Sequence, residues 1–92
     1  MFLEIVTPEA TLFKSDVDSV LVPGAEGEFQ MLNNHAPIVS TLIKGTIKIY
    51  GEIVIDKRYT NNFTDGNDQG KWLAISGGTV EMNANKVIIL VD

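Results

Sequence analysis

Apolar residues in this chain recur at every second position and almost nowhere at helical spacing, and that alternation limits the fold more than any other feature. In Thr46-Ile47-Lys48-Ile49-Tyr50, Ile47 and Ile49 share one face while Thr46, Lys48 and Tyr50 share the other. Thr79-Val80-Glu81-Met82-Asn83 repeats the arrangement. Val87-Ile88-Ile89-Leu90-Val91 is apolar on both faces, which suits either a strand covered on both sides or one whose outer face meets a partner. Turn formers interrupt the alternation at short intervals, as in Thr7-Pro8-Glu9, Pro23-Gly24-Ala25-Glu26-Gly27, Asn33-Asn34, Gly77-Gly78 and Asn83-Ala84-Asn85. Strands broken this often, with no amphipathic helix between them, predict an all-β, antiparallel sandwich or barrel. The spacing predicts ten strands, over residues 2–7, 10–15, 17–22, 27–32, 37–43, 46–50, 53–60, 71–76, 78–83 and 86–91. The polar run at 61–70 reads as an exposed hairpin loop.

Length and charge exclude several functions. At 92 residues the chain reads as one domain, residues 1–92, and by surface scaling it buries only about 60–65% of what its unfolded form exposes. Without cysteine there is no disulfide framework and no thiolate metal site, so packing alone must hold the fold. A net charge of −5 argues against nucleic acid, whose binding rests on neutralising phosphates with Lys and Arg. The longest apolar run, 87–91, is far short of the roughly 20 residues that cross a bilayer. Met1-Phe2-Leu3-Glu4 lacks the charged and apolar regions of a secretion signal, which leads us to expect a soluble, cytosolic chain.

Catalytic and metal constellations are poorly supported. His35 is the sole histidine and cannot build a multi-histidine metal site. Ser76-Gly77-Gly78 lacks the Gly-x-Ser-x-Gly elbow and reads as a tight hairpin turn. Asp65, Asn67 and Gly70 fit the first positions of a calcium loop, but Gln69 and Ser76 break the pattern. Gly24-Ala25-Glu26-Gly27 has no phosphate-loop lysine, and Glu26 and Glu28 would repel phosphate. What that loop can do is project Glu28 from a rigid sheet, with apolar Phe29, Met31 and Leu32 following. The residues thus point to a binding or structural module without a cofactor, a metal or a small-molecule substrate. A carbohydrate- or peptide-binding sandwich is the alternative, and its aromatic platform would have to come from Trp72, Tyr50 and Tyr59.

Three segments together resemble a known family. They are Leu3-Glu4-Ile5-Val6-Thr7-Pro8-Glu9; the stretch from Val20-Leu21-Val22-Pro23-Gly24-Ala25-Glu26-Gly27-Glu28-Phe29 to Asn34-His35-Ala36-Pro37-Ile38; and Ile75-Ser76-Gly77-Gly78-Thr79-Val80-Glu81 with residues 87–92 behind it. Their order and spacing resemble the N-terminal β-sandwich of the epsilon subunit of bacterial F-type rotary ATP synthases. The resemblance implies two five-stranded sheets and a non-catalytic place in the central stalk, on the cytoplasmic face of the bacterial inner membrane and peripheral to it. One side of the sandwich would meet the gamma subunit and its bottom the ring of c subunits, so that proton translocation is coupled to ATP synthesis. Carried over by motif, Glu28 and His35 would lie at that bottom surface, with Phe29, Met31 and Pro37 supplying apolar area beside them. Two departures stand out. Family members commonly continue into a helical hairpin past the position of Asp92, and if Asp92 is the native end, the hairpin's inhibitory and nucleotide-sensing roles are expected to be absent. The polar loop at 61–70 is also longer than the family's usual turn.

Overall fold

Alternating burial folds the chain into strands almost throughout. The computed structural model describes all 92 residues. Its strands are β1 (Phe2–Val6), β2 (Thr11–Asp16), β3 (Ser19–Gly24), β4 (Gly27–Leu32), β5 (Ile38–Leu42), β6 (Gly45–Tyr50), β7 (Phe63–Asp65), β8 (Lys71–Ile75), β9 (Gly78–Asn83) and β10 (Lys86–Val91). One short 3-10 helix, Lys57–Asn62, precedes β7.

Hydrogen bonds run through the order β2-β1-β10-β9-β5-β3-β6-β8-β7, with β4 on the other side of β3. β3 and β5 meet at a single pair, Gly24↔Leu42. The ladder therefore turns a corner there and divides into two layers of five strands, β2-β1-β10-β9-β5 and β4-β3-β6-β8-β7. Because side chains alternate along each strand, one face of every layer turns inward. Leu3, Ile5, Val80, Met82, Val87 and Ile89 from the first layer join Val20, Val22, Met31, Ile47, Ile49 and Leu73 from the second in one buried cluster.

One pairing departs from the antiparallel expectation: β1 and β10 run parallel, Leu3 opposite Val87 and Ile5 opposite Ile89. Hairpins force antiparallel order only between strands joined by short turns, and these two are joined by most of the chain. Their register is set instead by bringing four core residues to one level.

Two segments differ from the sequence reading. Residues 53–60 form no strand, although Ile53 and Ile55 do pack against the core while Val54, between them, is 89% exposed. The alternation is genuine, but β6 takes β8 as its neighbour, so 53–56 does not continue as a hairpin on β6. Asp56 then starts the 3-10 helix, its carboxylate accepting from the Arg58 backbone N–H at 2.9 Å. The missing strand is found inside the supposed loop: Phe63–Asp65 pairs with β8, and the buried Phe63 ring lies 6.4 Å from that of Phe13. An isolated phenylalanine in a polar run is enough to pull three residues onto the sheet edge.

Ser76-Gly77-Gly78 is likewise no hairpin turn, because β8 and β9 lie in different layers and do not pair. The chain crosses between layers there, and glycine is required: a Cβ on Gly78 would sit 2.1 Å from the Leu90 carbonyl oxygen. Phe63→Ala is expected to lower stability by about 3 kcal/mol, seen as a lower urea midpoint with an unchanged slope. Val54→Ala, at a position nearly free of contacts, should stay within about 0.5 kcal/mol of the parent in the same titration.

Candidate functional site

Glu28 and His35 stand at the two ends of β4. The hairpin from β3 to β4 turns through Ala25 and Glu26 between paired Gly24 and Gly27, and Gly27 takes a φ of 125° that other residues resist. Gly24 is also needed for room, since a Cβ there would meet the Phe29 ring at 2.7 Å. Glu28 follows, exposed on the outer face of its layer. Phe29 points inward and is half-buried against the core, so only part of its ring is offered to the surface.

Met31 is a correction to the sequence reading: it is 0% exposed, packs between the layers beside Val20, and supplies no surface area. The exposed apolar residue here is its neighbour Leu32, which alternation turns outward. Beyond β4, Asn34 adopts a φ of 62° and the His35 backbone N–H donates to the Leu32 carbonyl at 3.1 Å. The His35 side chain is exposed, its Nδ1 donating to the Ala36 carbonyl at 2.7 Å, and Pro37 beside it is exposed too. This loop is fixed from behind, because the amino terminus donates to Asn33 Oδ1 at 2.6 Å and the Asn34 backbone N–H donates to Asn85 Oδ1 at 2.8 Å. Strand rise puts Glu28 about 14 Å from Leu32, so Glu28 and His35 do not converge on one point.

They bound an elongated flank instead. β4 pairs only with β3, and β5 pairs with β9 and touches β3 only at the corner, which leaves two facing strand edges unpaired. A groove of about 550 Å³ lies between them, lined by the hairpin, Glu28, Phe29, Ile38 and Val39, with no Lys or Arg in its wall.

A second cluster occupies the outer face of the same layer. Lys48, on β6, reaches Glu28 Oε2 at 3.8 Å and lies 4.5 Å from the centroid of the Trp72 ring. Trp72 is its cross-strand partner on β8. Asp68 fixes that ring: its carboxylate accepts from Trp72 Nε1 at 3.2 Å, from the Tyr50 hydroxyl at 2.5 Å and from the Gly70 backbone N–H at 3.1 Å. The Tyr50 hydrogen bond holds the Asp68 carboxyl below its ordinary range, and the same bond, with burial and the carboxylate's charge, pushes the Tyr50 hydroxyl up to about 12. Asp65, next along the sequence, pairs with Lys71, and no grouping of His, Asp and Glu forms a metal site. Of the three aromatic candidates, Tyr50 and Trp72 come together here, but Tyr59 packs against the core under Arg58. The three aromatic side chains therefore do not gather into one platform, with Lys48 on Trp72 and Asp68 on Tyr50.

The outer face of the other layer is apolar along one stripe. Cross-strand pairing sets Val6 beside Leu90 and Leu90 beside Thr79, with Ile88 between Glu4 and Glu81, and Glu81 beside Val39. Leu90 is 52% and Val39 77% exposed, so the outward side of β10 is open, the second of the two options its sequence allows. At one end of the stripe a cleft of about 470 Å³ opens between Val6, Pro8, Thr79 and Leu90. No helix in the structure is long and apolar enough to cross a membrane.

Comparison with known proteins settles the family. The model of the ATP synthase delta/epsilon chain β-sandwich domain matches residues 1–92. The chain belongs to that family. It is 39% identical over 92 residues to the ATP synthase epsilon chain of Campylobacter curvus, and 38% identical over 91 residues to that of Leptospira interrogans. All of this chain is covered in the first case and 98% in the second, but only 60% and 59% of those relatives. The chain thus spans about three fifths of the length of the curated relatives it matches. Among solved structures, a chain from the central stalk and c-ring of the Tetrahymena thermophila mitochondrial ATP synthase superposes with a TM-score of 0.74 at 19% identity, over 98% of this chain and 61% of that one. A chain of the Euglena gracilis mitochondrial ATP synthase gives 0.73 at 22% identity, over 97% and 48%. These likenesses carry the fold.

The delta/epsilon sandwich here should show one measurable electrostatic signature. Tyr50 is held neutral by Asp68, so this interaction is fully present below the ordinary tyrosine pKa near 10 and is lost as pH rises through about 12. In Asp68→Ala, ultraviolet titration of the tyrosinates should show the upper transition falling by about one to two pH units, while the far-ultraviolet spectrum is unchanged.

Proposed function

We propose that this delta/epsilon-family sandwich is a non-catalytic rotor subunit of an F-type ATP synthase, linking the gamma subunit to the c-ring and coupling proton translocation to ATP synthesis. It would sit in the central stalk, peripheral to the cytoplasmic face of the bacterial inner membrane through its partners. The observation that carries the reading is the match of residues 1–92 to the delta/epsilon sandwich. Support also comes from epsilon chains as relatives and from neighbours solved in stalk and c-ring assemblies.

The two surfaces divide the work. The β4/β5 flank, with Glu28 at one end and His35 and Pro37 at the other, is assigned to the c-ring. Its length suits contact at two separated points, and a carboxylate on a rigid hairpin supplies register and orientation to cationic loop residues of a ring. The apolar stripe of Val6, Ile88, Leu90 and Val39 is assigned to gamma. A stable contact there needs about 800 Å² per partner, which a sheet face of this kind can offer. Transmission of torque asks for stiffness, and the ladder provides it by joining the stripe to the flank through β9, β5 and the Gly24↔Leu42 corner.

Glu28→Lys is expected to weaken association with a gamma–c-ring subcomplex at least about tenfold while the melting temperature of the chain is unchanged, since a reversed charge then faces cations. Unaltered binding and unaltered ATP-driven proton pumping would remove Glu28 from the contact. Leu90→Arg should instead lower affinity for isolated gamma and leave the ring contact intact, read by pull-down against each partner separately.

A further inference from the structure

Lys48 is the cation that pairs with Glu28, and its ammonium lies at the same time over the Trp72 ring. It lies 3.8 Å from the Glu28 carboxylate and 4.5 Å from the Trp72 ring centroid, with β3 lying between β4 and β6 beneath the pair. The Lys48 side chain is 24% exposed and that of Glu28 50%. The carboxylate is therefore free to turn outward and the lysine is confined. Trp72 is fixed from behind by Asp68, which also takes the Tyr50 hydroxyl and the Gly70 backbone. The polar run at 61–70 thereby gains a task, because its last turn holds the aromatic face in position.

We propose that Lys48 is a specificity-determining gate on Glu28: held over Trp72, it neutralises the carboxylate in the free chain, and it keeps the ring and gives up the carboxylate when a partner cation takes it. The inference rests on the reading of Glu28 as a stalk contact. A half-exposed ion pair is weak and exchanges readily, and a cation over a tryptophan face is of similar strength, so Glu28 can turn to a partner at little cost while the lysine stays on the ring. Without the ring it would remain beside Glu28 and repel an incoming Lys or Arg. The pair also hides the negative charge from weakly basic surfaces, so that only a partner whose cation outcompetes Lys48 docks.

A double-mutant cycle with the full chain and a gamma–c-ring subcomplex tests this, with binding measured at one fixed salt concentration. Lys48→Met is expected to tighten binding about three- to tenfold by removing the competitor, and Lys48→Arg, which keeps both the charge and the stacking, should stay near the parent. Trp72→Leu is expected to weaken binding by a similar factor in the parent and to have no effect in the Lys48→Met background. Thermal melting of each variant separates folding from docking. If Glu28→Gln weakens binding while Lys48→Met leaves it unchanged or weakens it, the gate is wrong and the Glu28 contact stands. Additive effects of Lys48→Met and Trp72→Leu would overturn the gate in the same way. If Glu28→Gln binds like the parent, the contact itself is wrong and the gate falls with it.

Discussion

The seam between the two layers carries the fold by apolar packing alone. Leu3, Ile5, Val87 and Ile89 come to it from one layer and Val20, Met31, Ile47 and Ile49 from the other, all of them fully buried. No cysteine is available to cross-link the layers. Burying one such side chain contributes about 1.5–3 kcal/mol, whereas the net stability of a small domain is about 5–10 kcal/mol. A few positions of the seam therefore decide whether the chain folds. This explains why Met31 is unavailable to a partner although it lies two residues from the surface groove at Phe29. The inward half of β4 belongs to the core, and only its outward half and its free edge can serve recognition.

The corner at Gly24 ties that seam to the exposed features. Here β3 leaves one neighbour for another, the hairpin to β4 begins, and β5 makes its single ladder pair with the second layer. Gly24 accepts the Phe29 ring against its backbone, and Gly45, one strand away, accepts Pro23. Two glycines thus let the backbones approach closely enough for the sheet to turn. The turn leaves the edges of β4 and β5 unpaired. Exposed edges invite pairing with other chains, so a soluble domain must protect them or use them. An acidic hairpin stands at one end of this edge pair and the pinned His35 loop at the other.

How far the sequence foretold this depends on whether the deciding contact is local. Ile47 with Ile49, and Val80 with Met82, reveal strand and inward face from two-residue spacing, and each lies as that spacing predicts. The seventh strand was misplaced because Ile53 and Ile55 alternate as well as any strand does, and nothing local says that β6 already has β8 beside it. Phe63 carried the missing signal, a large apolar side chain in a run otherwise polar. At the β4/β5 flank, Glu28 and His35 are singled out through the family resemblance, and both are exposed there. The Lys48, Trp72, Asp68 and Tyr50 cluster was not legible, because it joins β6 to β8 across a connection of twenty residues, 51–70. Only the pairing register Lys48↔Trp72 brings it together.

That register also braces the outer face of the second layer. Pairing across β6 and β8 fixes Trp72 over the same stretch of sheet that fixes Lys48, and the Asp68 turn locks the ring from outside. The outer face is therefore braced by directional contacts, while the inner face is held by packing that is strong but has no preferred direction. A sheet braced on both faces resists twisting better than one filled on only one side, since shear between β6 and β8 would have to break the Asp68 contacts as well as slide the core. The Lys48 contact to Glu28 ties this braced face to β4 across β3. In such a design the chemistry of the surface and the rigidity of the fold depend on the same few side chains.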